Sequence, residues 1–272
     1  MKLENRTAVI YGGGGAIGGA VARAFAREGA HVFLAGRTKE KLDRVAAAIR
    51  AEGGRADADT VDALDVRAVE QHADEVAARA GGIDIAMNAI GVAHVQGVPL
   101  AELSLEDYAF PITVYTWANF ITARAVARHM SRERRGVILA LTTPVSRMPG
   151  PGYLGHSVAC AGVEALTRHL AGELGSFGIR VVCIRSHAIP EAVGAGSHSA
   201  TVFRQVAERA GVQAGEGGDI VQTSLEGAAA ATLLGRLPTL GQVAETAVFL
   251  ASDGAGAMTG AIANLSCGFL LD

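Results

Sequence analysis

A short apolar run, residues 7–11, ends on four consecutive glycines, Gly12, Gly13, Gly14 and Gly15, with Gly18 three positions further on. A stretch of helical periodicity follows at once. Over residues 16–28, Ile17, Val21, Ala24 and Phe25 share one face, and Gly29 stands where such a helix stops. Gly13, Gly15 and Gly18 spell G-x-G-x-x-G between a strand and the opening of a helix. There the main chain can pass close to a pyrophosphate that side chains would block, and the helix N-terminus favours the negative charge. Glycines in a strand-to-helix turn also serve packing alone, so the run by itself leaves both uses open.

The alternation continues along the chain. Residues 31–35 read as a buried strand, 39–52 as an amphipathic helix with Leu42, Val45 and Ile49 inward, and a third strand falls within 55–64. Residues 66–80 read as a helix and 83–90 as the fourth strand. A long helical stretch, 105–131, is expected to be interrupted early by Pro111, and strand 136–141, helix 155–176 and strand 180–184 follow. A Gly/Ala/Ser-rich segment then breaks the rhythm until about residue 235, before a helix near 243–251 and a last strand near 261–265. Strands separated by helical crossovers pair in parallel, so the expected fold is α/β. It is a single Rossmann-type, doubly wound parallel sheet of about seven strands with helices on both faces, spanning residues 1–272 as one domain.

Composition agrees. Half of the residues are apolar, only 5% are aromatic, and 35 are glycine, which suits thin helices packed closely on a sheet rather than a β-sandwich. A net charge of -3 gives no sign of a nucleic-acid partner, and no run of apolar residues is long enough for a membrane span. The three cysteines, Cys160, Cys183 and Cys267, lack metal-type spacing and read as reduced thiols of a cytoplasmic protein. No metal is expected.

Cofactor choice turns on the end of the second strand. An NAD site wants a carboxylate there, about 20 residues beyond the glycines, to hold the ribose hydroxyls. This chain has Gly36-Arg37-Thr38 instead. Arginine pairs with a 2′-phosphate that an acid would repel, so the expectation is NADP rather than NAD.

These features resemble the short-chain dehydrogenase/reductase family along nearly the whole chain. Tyr11-Gly12-Gly13-Gly14-Gly15-Ala16-Ile17-Gly18 is similar to that family's Thr-Gly-x-x-x-Gly-Ile-Gly, Asp65-Val66 to the pair that brackets the adenine, and Asn88-Ala89-Ile90-Gly91 to Asn-Asn-Ala-Gly. Leu234-Gly235-Arg236-Leu237, Val248-Phe249-Leu250-Ala251-Ser252-Asp253, Thr259-Gly260 and Gly268-Phe269 resemble its C-terminal pattern. The resemblance implies cofactor contacts at Gly12, Gly14, Gly15, Ile17, Gly18, Arg37, Thr38, Asp65, Val66, Asn88, Ala89, Gly91, Cys160, His187 and Ile189.

The catalytic positions depart from that pattern. The family's Tyr moves a proton on the substrate oxygen, a Lys four residues later holds the nicotinamide ribose, a Ser hydrogen-bonds the substrate oxygen, and an Asn supports a water relay. Aligned on Val163-Glu164-Ala165-Leu166-Thr167, these fall on His156, Cys160, Thr143 and, on or near it, Tyr115. Ser186-His187 replaces the Pro-Gly pair beside the nicotinamide, and Ile189 is kept. A thiol supplies no fixed charge to the ribose. His156 is a candidate general acid or base, or else a neutral residue filling the tyrosine's space. Tyr153, seven residues before Cys160 as in the related enoyl reductases, is the second candidate.

Three functions follow. The first is an NADP-dependent oxidoreductase acting on a small or medium apolar carbonyl, imine or activated alkene with a non-standard acid. The second is a non-redox proton-transfer enzyme, such as a cyclase, isomerase or dehydratase, using His156 as base. The third is a non-catalytic nucleotide-binding subunit. Residues 192–235 are expected to cover a small-molecule substrate, with the helix-like patch 201–210 supplying Val202, Phe203 and Val206. Resemblance also implies a homo-oligomer, tetramer or dimer, through the two long helices, whose apolar residues include Ile112, Val114, Trp117, Phe120 and Ile121.

Overall fold

The computed structural model describes residues 1–194, 198–209, 211–212 and 219–272. Seven parallel strands form one sheet in the order β3-β2-β1-β4-β5-β6-β7. They are β1 (Thr7–Tyr11), β2 (His31–Gly36), β3 (Arg55–Thr60), β4 (Ile85–Asn88), β5 (Gly136–Thr142), β6 (Ile179–Ser186) and β7 (Ile262–Leu265). The order reverses between β1 and β4, which pair with Tyr11 opposite Asn88. That reversal opens a crevice at the carboxyl ends of the strands, where ligands of such sheets bind.

Side chains alternate across the sheet. Ala8 and Ile10 pack under α1 (Ala16–Arg27), α2 (Lys39–Ala51) and α9 (Leu240–Ala251), while Val9 and Tyr11 face α3 (Val66–Ala80), α4 (Leu105–Glu133) and α5 (Leu154–Leu174). Central strands are therefore buried on both faces and read as continuous apolar runs. Edge strand β3 is different. Its Asp57 and Asp59 are held by His31 and Arg79 at the sheet margin, with His31 Nε2 2.6 Å from Asp57.

Two expectations are corrected here. Pro111 does not interrupt α4, which runs unbroken for 29 residues from the Ser104 cap. The proline lies in the second turn, and its ring packs against Gly155 of α5, where an added Cβ would meet Tyr108 O at 2.7 Å and Pro111 Cγ at 3.1 Å. The helices thus approach closely at the site. The described residues of 192–235 are largely helical: beyond α6 (Pro190–Gly194) they form α7 (His198–Arg209) and α8 (Ile220–Ala230), packed through Val193, Phe203, Val221, Leu225 and Leu237. The end of the patch at Ala210 and the glycine-rich residues 213–218 lie outside the described residues. Among those described, no helix is long and apolar enough to cross a membrane.

Candidate active site

A cavity of about 1440 Å³ opens at the β1/β4 crevice. The glycine loop makes its floor. Gly12 takes a φ of +83°, and a Cβ there would lie 2.6 Å from Ala89 O, so no other residue fits between β1 and the turn after β4. A Cβ on Gly18 would lie 2.3 Å from Gly12 O, which lets α1 press onto the loop. The α1 N-terminus is open: its cap, Gly15, offers no side-chain bond, and the first turn carries no acid. Free amides at a helix start beside a bare glycine floor suit a pyrophosphate.

Gly12, Gly14, Gly15, Ile17, Arg37, Thr38, Ala89, Gly91, Cys160, His187 and Ile189 line this cavity. Four expected contacts do not. Gly18 lies beneath the loop. Asn88 is buried, donating to Thr122 Oγ1 at 3.3 Å and accepting from Ile90 N at 3.1 Å, so it ties β4 to α4. Asp65 caps α3 through Arg67 N and Ala68 N, and with Val66 it stays off the cavity. Asp62, Ala63 and Leu64 line it instead, three residues earlier than the sequence reading placed the adenine contact. The signal was present in the spacing: two aspartates three apart, the second being the helix cap.

Around the far mouth, Arg23, Arg27, Arg37, Lys41 and Arg44 line the cavity, with Asp62 and Glu191 the acids among its lining residues. Arg27 leans to Glu245 at 3.9 Å, and Arg44 Nε bonds the Glu40 carbonyl. No carboxylate follows β2.

At the other end Thr143, Tyr153, His156 and Cys160 come together with Tyr115, His94 and Gln96. The Tyr115 ring stacks parallel to His156 at 5.9 Å, and His94 meets it edge-on at 4.5 Å. Gln96 Nε2 lies 2.7 Å from His94 Nε2 and in hydrogen-bond contact with His156 Nδ1, while His94 Nδ1 lies 2.9 Å from the Val92 carbonyl. Burial, with His94 adding to it, lowers His156 to about 3. It is neutral at working pH. Burial also lowers His94 and raises Tyr115 to about 12. His187 accepts from Ala188 N at 2.7 Å through Nδ1, packs edge-on against Phe269, and leaves Nε2 without a partner among the described residues.

Cys160 Sγ lies 3.7 Å from Thr143 Oγ1, and burial pushes its thiol up to about 11; Cys183 rises to about 12 for the same reason. Both stay protonated and unreactive. Cys267 is only half-buried, with Arg236 Nη1 3.9 Å from its sulfur. Iodoacetamide at neutral pH should therefore label Cys267 and spare the other two, as peptide mass spectrometry will show. Equal labelling of Cys160 would expose a thiolate and reopen it as a nucleophile.

Behind this wall lies a charge cluster that no motif announces. Arg185 is 2% exposed and grips Glu164 with two bonds of 2.8 and 2.9 Å, while its third nitrogen reaches Asp272 at 2.6 Å. Ser146 and Thr142 donate to the same Glu164 oxygen. Burial pushes Glu164 up, but Arg185 and these hydroxyls outweigh it and hold the carboxyl below its usual value.

The chain matches the family described as short chain dehydrogenase over residues 6–195, and it belongs to that family. It is 28% identical to a D-threitol dehydrogenase of Mycolicibacterium smegmatis over 261 residues, covering 96% of this chain and 91% of that protein. It is 34% identical to a 1-deoxy-11-beta-hydroxypentalenate dehydrogenase of Streptomyces exfoliatus over 182 residues, 66% of each chain. Its fold superposes on a crystal structure of NAD+-bound xylitol dehydrogenase with a TM-score of 0.86 at 23% identity, covering 97% and 99% of the two chains. A nicotinamide cofactor and redox chemistry are the family's common ground.

Proposed function

We propose that this is an NADP-preferring oxidoreductase acting on a small or medium apolar carbonyl, imine or activated alkene, with His156 and Thr143 at the substrate oxygen. The observation that carries this reading is the bare glycine floor and open α1 N-terminus beside Arg37, with no carboxylate after β2. Gly14, Gly15 and Ile17 would hold the pyrophosphate, Arg37 and Thr38 the 2′-phosphate, Ala63 and Leu64 the adenine, and Gly91, His187 and Ile189 the nicotinamide end. When bound, the nicotinamide supplies or accepts the hydride. Thr143 offers a hydroxyl and His156 a ring nitrogen to the substrate oxygen, and Tyr153 is the second proton donor at the same wall. Cys160, a neutral thiol, takes the lysine's place without its charge.

Val202, Phe203 and Val206 of α7, with Phe110 and Val114 of α4, give the substrate end an apolar wall. That lining favours a less hydroxylated substrate than the polyol that names the D-threitol relative. In this reading α7 and α8 form the cover over the substrate. Trp117, Phe120 and Val158 are exposed on the outer faces of α4 and α5, and they supply apolar surface for a homo-oligomer.

Titration with NADPH and NADH, followed by reduced-nicotinamide fluorescence, tests the reading. NADPH should bind roughly 10–100-fold more tightly, the worth of one or two charge-assisted hydrogen bonds. Binding of neither would remove it.

A further inference from the structure

We infer that Gln96 and His94 lock His156 as a neutral donor through Nε2–H, and that the oxygen it receives carries delocalised negative charge, as in an enolate or phenolate. This rests on the reading that His156 faces the substrate.

The hydrogen-bond directions leave one solution. A carbonyl cannot donate, so His94 Nδ1 carries the proton it shares with Val92 O at 2.9 Å. His94 Nε2 is then a lone pair, and the Gln96 atom facing it at 2.7 Å must be the amide nitrogen. Turned over, the amide would set an oxygen against that lone pair. The second hydrogen of the same nitrogen goes to His156 Nδ1, which is therefore also a lone pair. His156 consequently carries its proton on Nε2. No described protein group accepts that hydrogen, and the ring lines the cavity. Protonating Nδ1 would drive an N–H against the Gln96 N–H, so the imidazolium is opposed by geometry as well as by burial.

The surroundings define what such a donor can serve. The groups facing it are His94 and Gln96 of the 91–97 loop, Tyr115 of α4, Cys160 of α5, Tyr153 at the start of α5, and Thr143 after β5. None is a cation. The nearest guanidinium named by a contact, Arg209 of α7, is spent on the Gln96 main-chain carbonyl. A localised alkoxide is basic enough to strip that proton and leave a buried imidazolate with no cation facing it, whereas a spread charge is less basic and is held by the intact neutral N–H, as neutral histidine electrophiles do. Among the substrate classes proposed, a conjugated enone meets this condition. A bound reduced nicotinamide would supply hydride to the enone's β-carbon, the cofactor's C–H bond breaking as the new one forms. The C=C pair moves to make an enolate oxygen, and water later protonates the α-carbon. A simple ketone would leave a localised alkoxide instead.

The test uses the protein without cofactor. In 15N-histidine spectra, His156 should show Nε2 protonated and Nδ1 bare, without titrating between about pH 5 and 8. Gln96→Glu should move the proton onto Nδ1, since a carboxylate accepts. A merely structural role for Gln96 would not produce that inversion. 4-Nitrophenol should bind as the phenolate, seen by its absorbance, and His156→Ala should weaken it roughly tenfold or more, with His156→Asn restoring part of the loss through its N–H. A protonated Nδ1 in the wild-type protein overturns the inference. So does an absence of nitrophenol binding, or binding indifferent to His156→Ala. NADPH affinity is read separately: bound cofactor with the wrong tautomer overturns only this inference, and the right tautomer without cofactor binding overturns only the redox reading.

Discussion

Arg37→Asp should weaken NADPH binding by roughly two orders of magnitude while leaving NADH within a few-fold of its starting affinity. The asymmetry follows from where the residue stands. β2 ends on buried Leu34 and Ala35 and half-buried Gly36, and Arg37 is the first exposed residue beyond it. Its substitution therefore disturbs no packing. A charge-assisted hydrogen bond to a phosphate is worth roughly 1.5–3 kcal/mol, so Arg37→Ala alone removes about 10–100-fold, and an acid adds repulsion. Arg23, Lys41 and Arg44 share the cavity mouth and would keep a residual preference. Because the site is exposed, the preference should narrow as salt rises. Paired titrations with both cofactors at low and high salt check each part. Equal losses for NADPH and NADH would mean that Arg37 holds the shared adenosine rather than the 2′-phosphate.

The sequence made the fold legible wherever burial is two-sided. The stretches Ala8–Tyr11 of β1 and Val181–Ile184 of β6 are apolar because helices cover both faces, and the glycine run marks a place where main chain meets main chain. Legibility failed where a residue's partner is distant. Arg55-Ala56-Asp57-Ala58-Asp59-Thr60 reads poorly as a strand because it is an edge, its aspartates answering His31 and Arg79 rather than a core. Asp65 caps α3 while Asp62, three residues earlier, lines the cavity, and sequence alone does not separate two aspartates so spaced. Pro111 looked like a break, yet close contact with Gly155 keeps it inside α4. His94 and Gln96 belong to no motif. Only the fold carries them to His156, 60 residues further on for Gln96. The sequence reading left His156 open as acid, base or filler, and the loop resolves its tautomer because Val92 O can only accept.

Glu164→Ala should destabilise the protein by about 3–5 kcal/mol, because it strands a guanidinium that is almost wholly buried. For a chain of this size that is roughly a 10 °C fall in the thermal midpoint. Glu164→Gln should cost less, since the amide oxygen still accepts one Arg185 hydrogen and Asp272 still faces another. The double variant Glu164→Leu with Arg185→Met should recover most of the loss, because an apolar pair removes both desolvated charges together. The pH dependence has a fixed sign. Glu164 and Asp272 are both held below their ordinary values: burial raises each, and Arg185 with the neighbouring donors outweighs it. Their contribution is fully present above the unfolded carboxylate range of about 4 and drains away as pH falls through the folded values. The gap between wild type and Glu164→Ala should therefore be widest near neutrality and close in acid, measured by calorimetry across that range. The cluster also reaches the site: Thr142 and Ser146, which flank Thr143, both lean on Glu164. Losing the carboxylate should loosen the turn that presents Thr143, lowering kcat more than it raises KM in whatever reaction the enzyme is given. An unchanged midpoint in Glu164→Ala would mean that water reaches Arg185 and that the pair is not the buried clamp its bond distances describe.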